Sequence, residues 1–449
     1  MFNTLKQPAV PPSIAGVAVV LGLLAGGSGM FWWQTHNAPP PGSSSARLLA
    51  DTSPQHRNAP PVQATSTWAE QGPQTARDEQ AWVKLGNTFM QKARETADVS
   101  YYQRAAAAFQ QALALDPQYV PALVGMAWVS GARHEFEQSI AWARQAVTLE
   151  AQNQDAYGLL GDAAIEMGDY EAALEYYQTM LDLRPDLASY SRASHLLFLR
   201  GDVRKATWLM QKAIAAGAPY AENTAWCQAQ LALMQWSSGA WLAAEQGLQL
   251  ALQQQPEHYH LLAAMGRVVA AKQDYTAAID YYKRALAITP HPEVIIALGD
   301  LYGLTHQPEE AARQYALLEA IQQLHRANGV RPDIQMARFY TDHDLRLPEA
   351  LAEAEMIYQT RKNIFVADTL AWSYYKNGRY AEAKKIIKKA LSLGTPDAQI
   401  LFHAGMIHAQ LDEQSTARQY LYQALSLNPH FHPLYATLAA ETLQQLGAR

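Results

Sequence analysis

The chain has 449 residues, of which 17% are charged, with a formal net charge of −6; that length holds one long repeat array or several ordinary domains. The mildly acidic balance and the lack of a lysine-arginine run argue against nucleic acid as a partner. Cys227 is the single cysteine, which excludes an internal disulfide framework and a set of cysteine ligands for zinc.

Residues 1–12 read as a short tail. Within 13–33, the run from Ile14 to Trp33 carries no charge and closes on Phe31-Trp32-Trp33, long enough as a helix to span a hydrocarbon core. It predicts a retained transmembrane helix, single-pass. Lys6 precedes the span and the next fixed cation is Arg47, a weak vote for a body on the extracytoplasmic, periplasmic side. The competing reading is a cleaved signal peptide, with Gly27 and Gly29 supplying a small-x-small site, which would leave a soluble periplasmic or secreted protein. The apolar run outlasts the ~7–15 residues of a signal core, which favours the anchor. Gly22, Gly26 and Gly27 would let two spans pack, one route to self-association. Residues 34–80, rich in Pro, Ser, Ala, Gln and Thr, bury too little to fold alone and read as a semi-flexible linker.

From residue 81 to 446 the chain repeats itself. Pro117 and Pro185 lie twice 34 residues apart with Ala151 at the midpoint, and Pro256 and Pro290 lie 34 apart. Each proline closes an alanine-rich amphipathic stretch. The openers Trp82-x-x-Leu85-Gly86-x-x-Phe89, Tyr157-x-x-Leu160-Gly161 and Leu298-Gly299-x-x-Tyr302 precede second stretches such as Gly168-Asp169-Tyr170-Glu171-Ala172-Ala173 and Gly378-Arg379-Tyr380-Ala381-Glu382-Ala383. Glycine or alanine at the contact positions lets paired helices approach closely, and a large ring one turn on fills the remaining gap. Glycine between the helices supplies a left-handed cap, and the closing proline ends the second helix.

This pattern resembles the tetratricopeptide repeat family, over Ala81 to the carboxyl terminus. The resemblance implies an all-α fold, a right-handed superhelical solenoid. The units number ten and begin near residues 80, 120, 154, 187, 224, 259, 292, 331, 364 and 398; a capping helix covers 432–446. The eighth unit replaces the inter-helix glycine by Leu345-Arg346-Leu347-Pro348. Each unit leaves an apolar face that only a neighbour covers, hence a stack with capped ends. From Phe365 to Pro433 the chain resembles a recurrent bacterial arrangement of these repeats.

In that family the first helices line a concave groove that holds proteins or peptides. Counting from each opener, the groove should present Asn87, Trp128, Asp155, Asp162, Glu166, His195, Phe198, Trp226, Trp236 and Arg267. Beyond these it should present Phe365, Asp368, Trp372, Tyr375, Phe402 and Met406. Asp155, Asp162 and Glu166 make an acidic patch on the third unit, and the rings offer anchors for a helical or extended peptide. Packing between neighbouring first helices is the plainer account of any one ring, and solvation that of the acids. The chaperone-binding branch of the family uses a basic clamp; at the matching places stand Val83, Asn87, Pro121, Gly125, Asp155 and Leu159, so that role is disfavoured.

Neither the histidines at 258, 260, 403, 408, 430 and 432 nor any other group shows zinc spacing, and no phosphate loop or nucleophile motif occurs. The Lys384-Lys385-x-x-Lys388-Lys389 cluster lies on a second helix and reads as a solvated outer face. The sequence therefore predicts no cofactor, no metal and no enzyme. It predicts a membrane-anchored scaffold that holds partner proteins in its groove during assembly of an envelope complex. The alternative is an accessory subunit of a secretion, polysaccharide-export, pilus or cytochrome-maturation machine.

Overall fold

A computed structural model of the protein describes residues 78–218 and 221–447. Among these there is no strand; the chain is a succession of helical hairpins. The first five pair α1 (Glu79–Thr96) with α2 (Ser100–Leu115), α3 (Val120–Ala132) with α4 (Phe136–Leu149), α5 (Gln154–Met167) with α6 (Tyr170–Leu183), α7 (Leu187–Leu199) with α8 (Val203–Ala216), and α9 (Glu222–Ser237) with α10 (Trp241–Gln254). The next five pair α11 (Tyr259–Ala271) with α12 (Tyr275–Ile288), α13 (Pro292–Leu304) with α14 (Pro308–Ala327), α15 (Ile334–Asp342) with α16 (Leu347–Thr360), α17 (Ile364–Lys376) with α18 (Tyr380–Ala390), and α19 (Ala398–Gln410) with α20 (Gln414–Leu427). A last helix, α21 (Tyr435–Gly447), closes the stack. The all-helical solenoid expected from the period is thus the fold observed.

Local chemistry accounts for each hairpin. Asn153, Asp186, Asp202, Asp274, Asn363 and Asp397 cap helix starts through their side chains, each stabilising its helix by ~1 kcal/mol. Ala173, Ala278 and Ala383 are fully buried where second helices meet first helices. At Gly161 an added Cβ would stand 2.2 Å from Tyr177 Cε1, so the small residue and the large ring occupy one contact. In the eighth unit Asp344 and Arg346 take the left-handed backbone that glycine supplies at Gly168, Gly201, Gly239 and Gly378; His134, Gln273, His306 and Asp412 do the same in other units.

The superhelix closes on itself. Residues 194–197 apart in sequence meet repeatedly: Thr289 with Glu95, His134 with Arg331, Arg361 with Glu166, and Thr395 with Leu199. One turn therefore takes between five and six units, and the second turn lies directly on the first. Gly168, with φ of +79°, and Gly201, with φ of +77°, serve twice here. Each caps its helix, and each lets the backbone of the next turn pass. A Cβ would lie 2.6 Å from the Lys362 carbonyl at Gly168 and 2.8 Å from the Gly394 carbonyl at Gly201.

The expectation of a single-pass membrane protein is corrected on this structure: among the described residues no helix is long and apolar enough to cross a membrane. The segment 13–33 on which that expectation rested, the tail before it and linker residues 34–77 lie outside the described residues.

Candidate functional site

Successive first helices pack firmly along the solenoid except between α11, α13 and α15. The twenty-residue helix α14 is longer than its counterparts, and the Asn328–Asp333 connection after it reaches back to Arg133 and His134 of the first turn. Where the first helices spread, a cavity of about 620 Å³ opens on the inner face, within the size range of ligand sites. Its wall across from α13 and α15 is built by Phe431, His432, Ala436 and Ala440 at the carboxyl-terminal end. Tyr435 ties that wall down, its hydroxyl 3.0 Å from Asp342 Oδ1 and 3.2 Å from the Asp342 carbonyl. A smaller cavity of about 320 Å³ lies beside it, between the first turn and the second, and Gln335 lines both.

The polar groups of the larger cavity divide into paired and unpaired sets. Asp300 receives His343 Nε2 at 2.7 Å and the Tyr315 hydroxyl at 2.8 Å. Asp342 lies 3.6 Å from Arg338. Arg267 and Glu293 enter no ion pair among the described residues. Glu293 accepts from Gln335 Nε2 at 2.7 Å through Oε1, while its Oε2 has no partner. Burial pushes the Glu293 carboxyl up to about 8, against the pull of Arg267, so it is largely uncharged at neutral pH. Arg267 Nη1, Gln399 Nε2 and Trp236 Nε1 are also buried without partners.

The residues expected on the groove separate into three sets. Trp236, Arg267 and Phe365 line the larger cavity, and Trp128 and Trp226 line the smaller. A second set lies in the core: Phe198, Trp372, Phe402 and Met406 are buried. Tyr375 stacks on Trp372 at 4.5 Å, His403 at 4.2 Å, and Tyr435 covers Phe402 at 4.9 Å. The reason is packing between neighbouring first helices, the plainer account of these rings: Trp372 of α17 meets Phe402 and His403 of α19, and Tyr435 of α21 covers Trp372 and Phe402. Asn87 and His195, both half-buried, line neither cavity, and burial lowers His195 to about 4.

The acids of the third unit are neutralised. Asp162 accepts from Arg192 at 2.8 and 2.9 Å and from the Tyr177 hydroxyl at 2.7 Å. Asp155 lies 4.0 Å from Arg184, and burial raises it to about 7. Glu166 receives Arg361 at 2.8 and 3.1 Å and Asn363 at 2.8 Å, all from the next turn. Asp368 accepts from His403 Nδ1 at 2.8 Å. Asp162 and Glu166 are thus each paired with an arginine, the Glu166 pair fully buried, while Asp155 stays half-buried. Among the described residues no group of His, Cys, Asp and Glu could hold a metal ion.

Sequence reasoning passed over Glu293, Gln335 and Gln399. The available signal was register: Asn223, His260, Glu293, Gln335, Phe365 and Gln399 are each the second residue of a first helix, in units five to ten. All line one cavity or the other.

Profiles described as tetratricopeptide repeat match residues 154–187, 261–296 and 369–430. A BBSome complex member, BBS4, of Mus musculus is 24% identical over 277 residues, 61% of this chain and 51% of the relative. Its Bos taurus counterpart is 22% identical over 179 residues, 39% of this chain and 33% of the relative. The chain thus spans about half the length, or less, of the curated relatives it matches. Among solved structures, the human IFIT1 dimer with PPP-AAAA is 16% identical with a TM-score of 0.47, over 71% of this chain and 73% of that one. The APC/C hetero-tetramer Cut9-Hcn1 is 11% identical with a TM-score of 0.40, over 82% and 87%. At such identities the likeness is one of fold alone.

Proposed function

We propose that this chain, built of tetratricopeptide repeats, is a protein-binding scaffold that holds a segment of a partner in the inner cavity of its second superhelical turn. The observation that carries the reading is the 620 Å³ cavity itself, lined by first-helix residues of units five to ten and walled by the carboxyl-terminal end. Repeats of this kind bind proteins or peptides, and a solenoid presents its first helices inward. The relatives named as complex members suit a chain that works inside an assembly, holding one component against another.

A photo-crosslinking residue placed at Ile296, on the cavity wall, should trap the partner in the native host, whereas the same residue at Leu250, on the outer face of α10, should not. Adducts at Leu250 with none at Ile296 would refute the reading.

A further inference from the structure

The outer surface carries a charge pattern that folding assembles from two distant stretches. Residues 200–217 and 379–395 together hold nine basic side chains against two acidic ones, in a chain whose net charge is −6. The turn before α8 and the loop after α18 touch: the Thr395 hydroxyl donates to the Leu199 carbonyl, and a Cβ at Gly201 would lie 2.8 Å from the Gly394 carbonyl. α18 ends and α8 begins at that contact. Both are second helices, so a basic strip passes from one turn of the superhelix to the other along the outside, on the order of 30 Å at ~1.5 Å per helical residue.

The carboxylates within these stretches are already taken. Asp202 pairs with Lys205 and Glu382 with Arg379, and Lys384 reaches Glu413 of the next unit. Arg204, Lys212, Lys385, Lys388 and Lys389 are exposed and enter no ion pair among the described residues. Trp208, 45% exposed, stands among them, with Lys212 Nζ 5.5 Å from its ring centre. Five like charges on one face repel one another, and an anionic partner relieves that repulsion.

The flanks of the strip select among anionic partners. On one side stand α6 and α16, with Glu171, Glu175, Asp182 and Glu349 exposed. On the other stand α10 and α20, which carry one charged residue each, Glu245 and Arg418, and present Leu242 and Tyr422 at 69% and 66% exposure. A membrane or a nucleic-acid duplex, broad and negative throughout, would press its phosphates against the carboxylates of α6 and α16. A narrow polypeptide meets only the strip and its apolar flank.

We infer that this outer strip is a docking surface for an acidic segment of a second partner protein. Its carboxylates face Arg204, Lys385, Lys388 and Lys389, and its apolar residues face Trp208 and the α10 flank. None of these residues lines either cavity, so one protein can be held inside the coil and another outside it.

The test uses the full chain and a fluorescent peptide of about 20 residues with glutamates and leucines at amphipathic helical spacing. Beside it are run a counterpart with lysines for the glutamates, heparin, and vesicles rich in anionic phospholipid. The acidic peptide should bind, less tightly as salt rises, and its basic counterpart should not. Arg204→Gln, Lys385→Gln, Lys388→Gln and Lys389→Gln combined should weaken binding about 10-fold or more, the sum of four exposed contacts of modest individual worth. All four side chains are exposed, so the unfolding midpoint should stay near the parent's. Trp208→Ser should lower the affinity that remains at high salt. Ala297→Trp, which fills the larger cavity from its wall, should leave peptide binding unchanged. Binding that survives the fourfold variant would overturn the inference, as would binding abolished by Ala297→Trp, which would place the peptide in the cavity. Tighter binding of heparin or of the vesicles than of the peptide would overturn it in favour of a polyanion or a lipid surface. Binding of no probe would overturn the outer strip and leave capture in the cavity standing.

Discussion

Arg361 Nε and Nη2 both donate to one oxygen of Glu166, at 3.1 and 2.8 Å, across 195 residues of chain. Nη1 of the same guanidinium donates to Asp333 at 2.9 Å, and the Phe136 ring lies under it at 5.4 Å. The two turns of the superhelix are therefore joined by a buried charge network as well as by apolar packing. Its desolvation cost is offset only because every partner is present.

Removing one member should expose that cost. Glu166→Ala leaves Arg361 buried with half its partners and should destabilise the protein by ~3–5 kcal/mol. Denaturant unfolding measures the loss, and small-angle scattering should report a larger radius of gyration as the turns part. An unchanged midpoint and radius would show that the network does not hold the turns together.

Gly168 and Gly378 offer a matched pair. Both hold positive φ, +79° and +74°, at the turn between two helices. A Cβ at Gly378 meets nothing within 4 Å, whereas one at Gly168 runs into the Lys362 carbonyl of the next turn. Gly378→Ala should cost only the left-handed penalty of ~1–2 kcal/mol. Gly168→Ala should cost ~1–3 kcal/mol more, because a backbone must move. Equal losses in thermal unfolding would deny the close approach of the turns.

Those two glycines also mark how far the sequence can be read. The hairpins were legible because their code is local: Gly161 against Tyr177, a 34-residue period, a cap at Asn153. The register along the interior was present too, in the second residues of the first helices. Closure of the superhelix was not legible, since contacts between residues some 195 apart follow no short-range pattern. Glu166 reads as a groove acid for that reason, because its partner Arg361 comes from the next turn; Asp368 is paired more locally, by His403 of the following unit. Trp372 and Phe402 read as anchors because their burial depends in part on Tyr435, which stands on α21, beyond both of their hairpins.

Glu293 makes stability depend on pH in a definite direction. Its carboxyl titrates near 4.3 in an unfolded chain and is pushed up to about 8 when folded. Between those values the folded state holds a proton that the unfolded state has lost, so stability falls as pH rises. Below about pH 4 the contribution is fully present; by about pH 8 it is gone. Glu293→Gln removes that dependence, so the variant should gain stability relative to the parent between pH 5 and pH 9. Asp397, raised to about 7, has the same sign but is common to both proteins. Parallel stability curves would mean that the carboxyl is hydrated in solution.

Stability and capture should separate at two sites, one in the core and one on the cavity wall. Trp372 is 1% exposed and packed against Tyr375, Phe402, His403 and Tyr435. Trp372→Ala should therefore cost ~3–5 kcal/mol, and any loss of partner binding would follow from the damaged fold. Ala297 sits on the cavity wall, where an enlarged side chain can extend into open volume. Ala297→Trp should leave the unfolding midpoint close to the parent's while blocking the cavity and reducing partner capture at least tenfold. The pair is measured together, by chemical unfolding and by binding on the same preparations. If Ala297→Trp binds normally, the occupant lies elsewhere. If Trp372→Ala unfolds like the parent, the ring lies on an open face, and the packing of α17 against α19 and α21 is weaker than these contacts require.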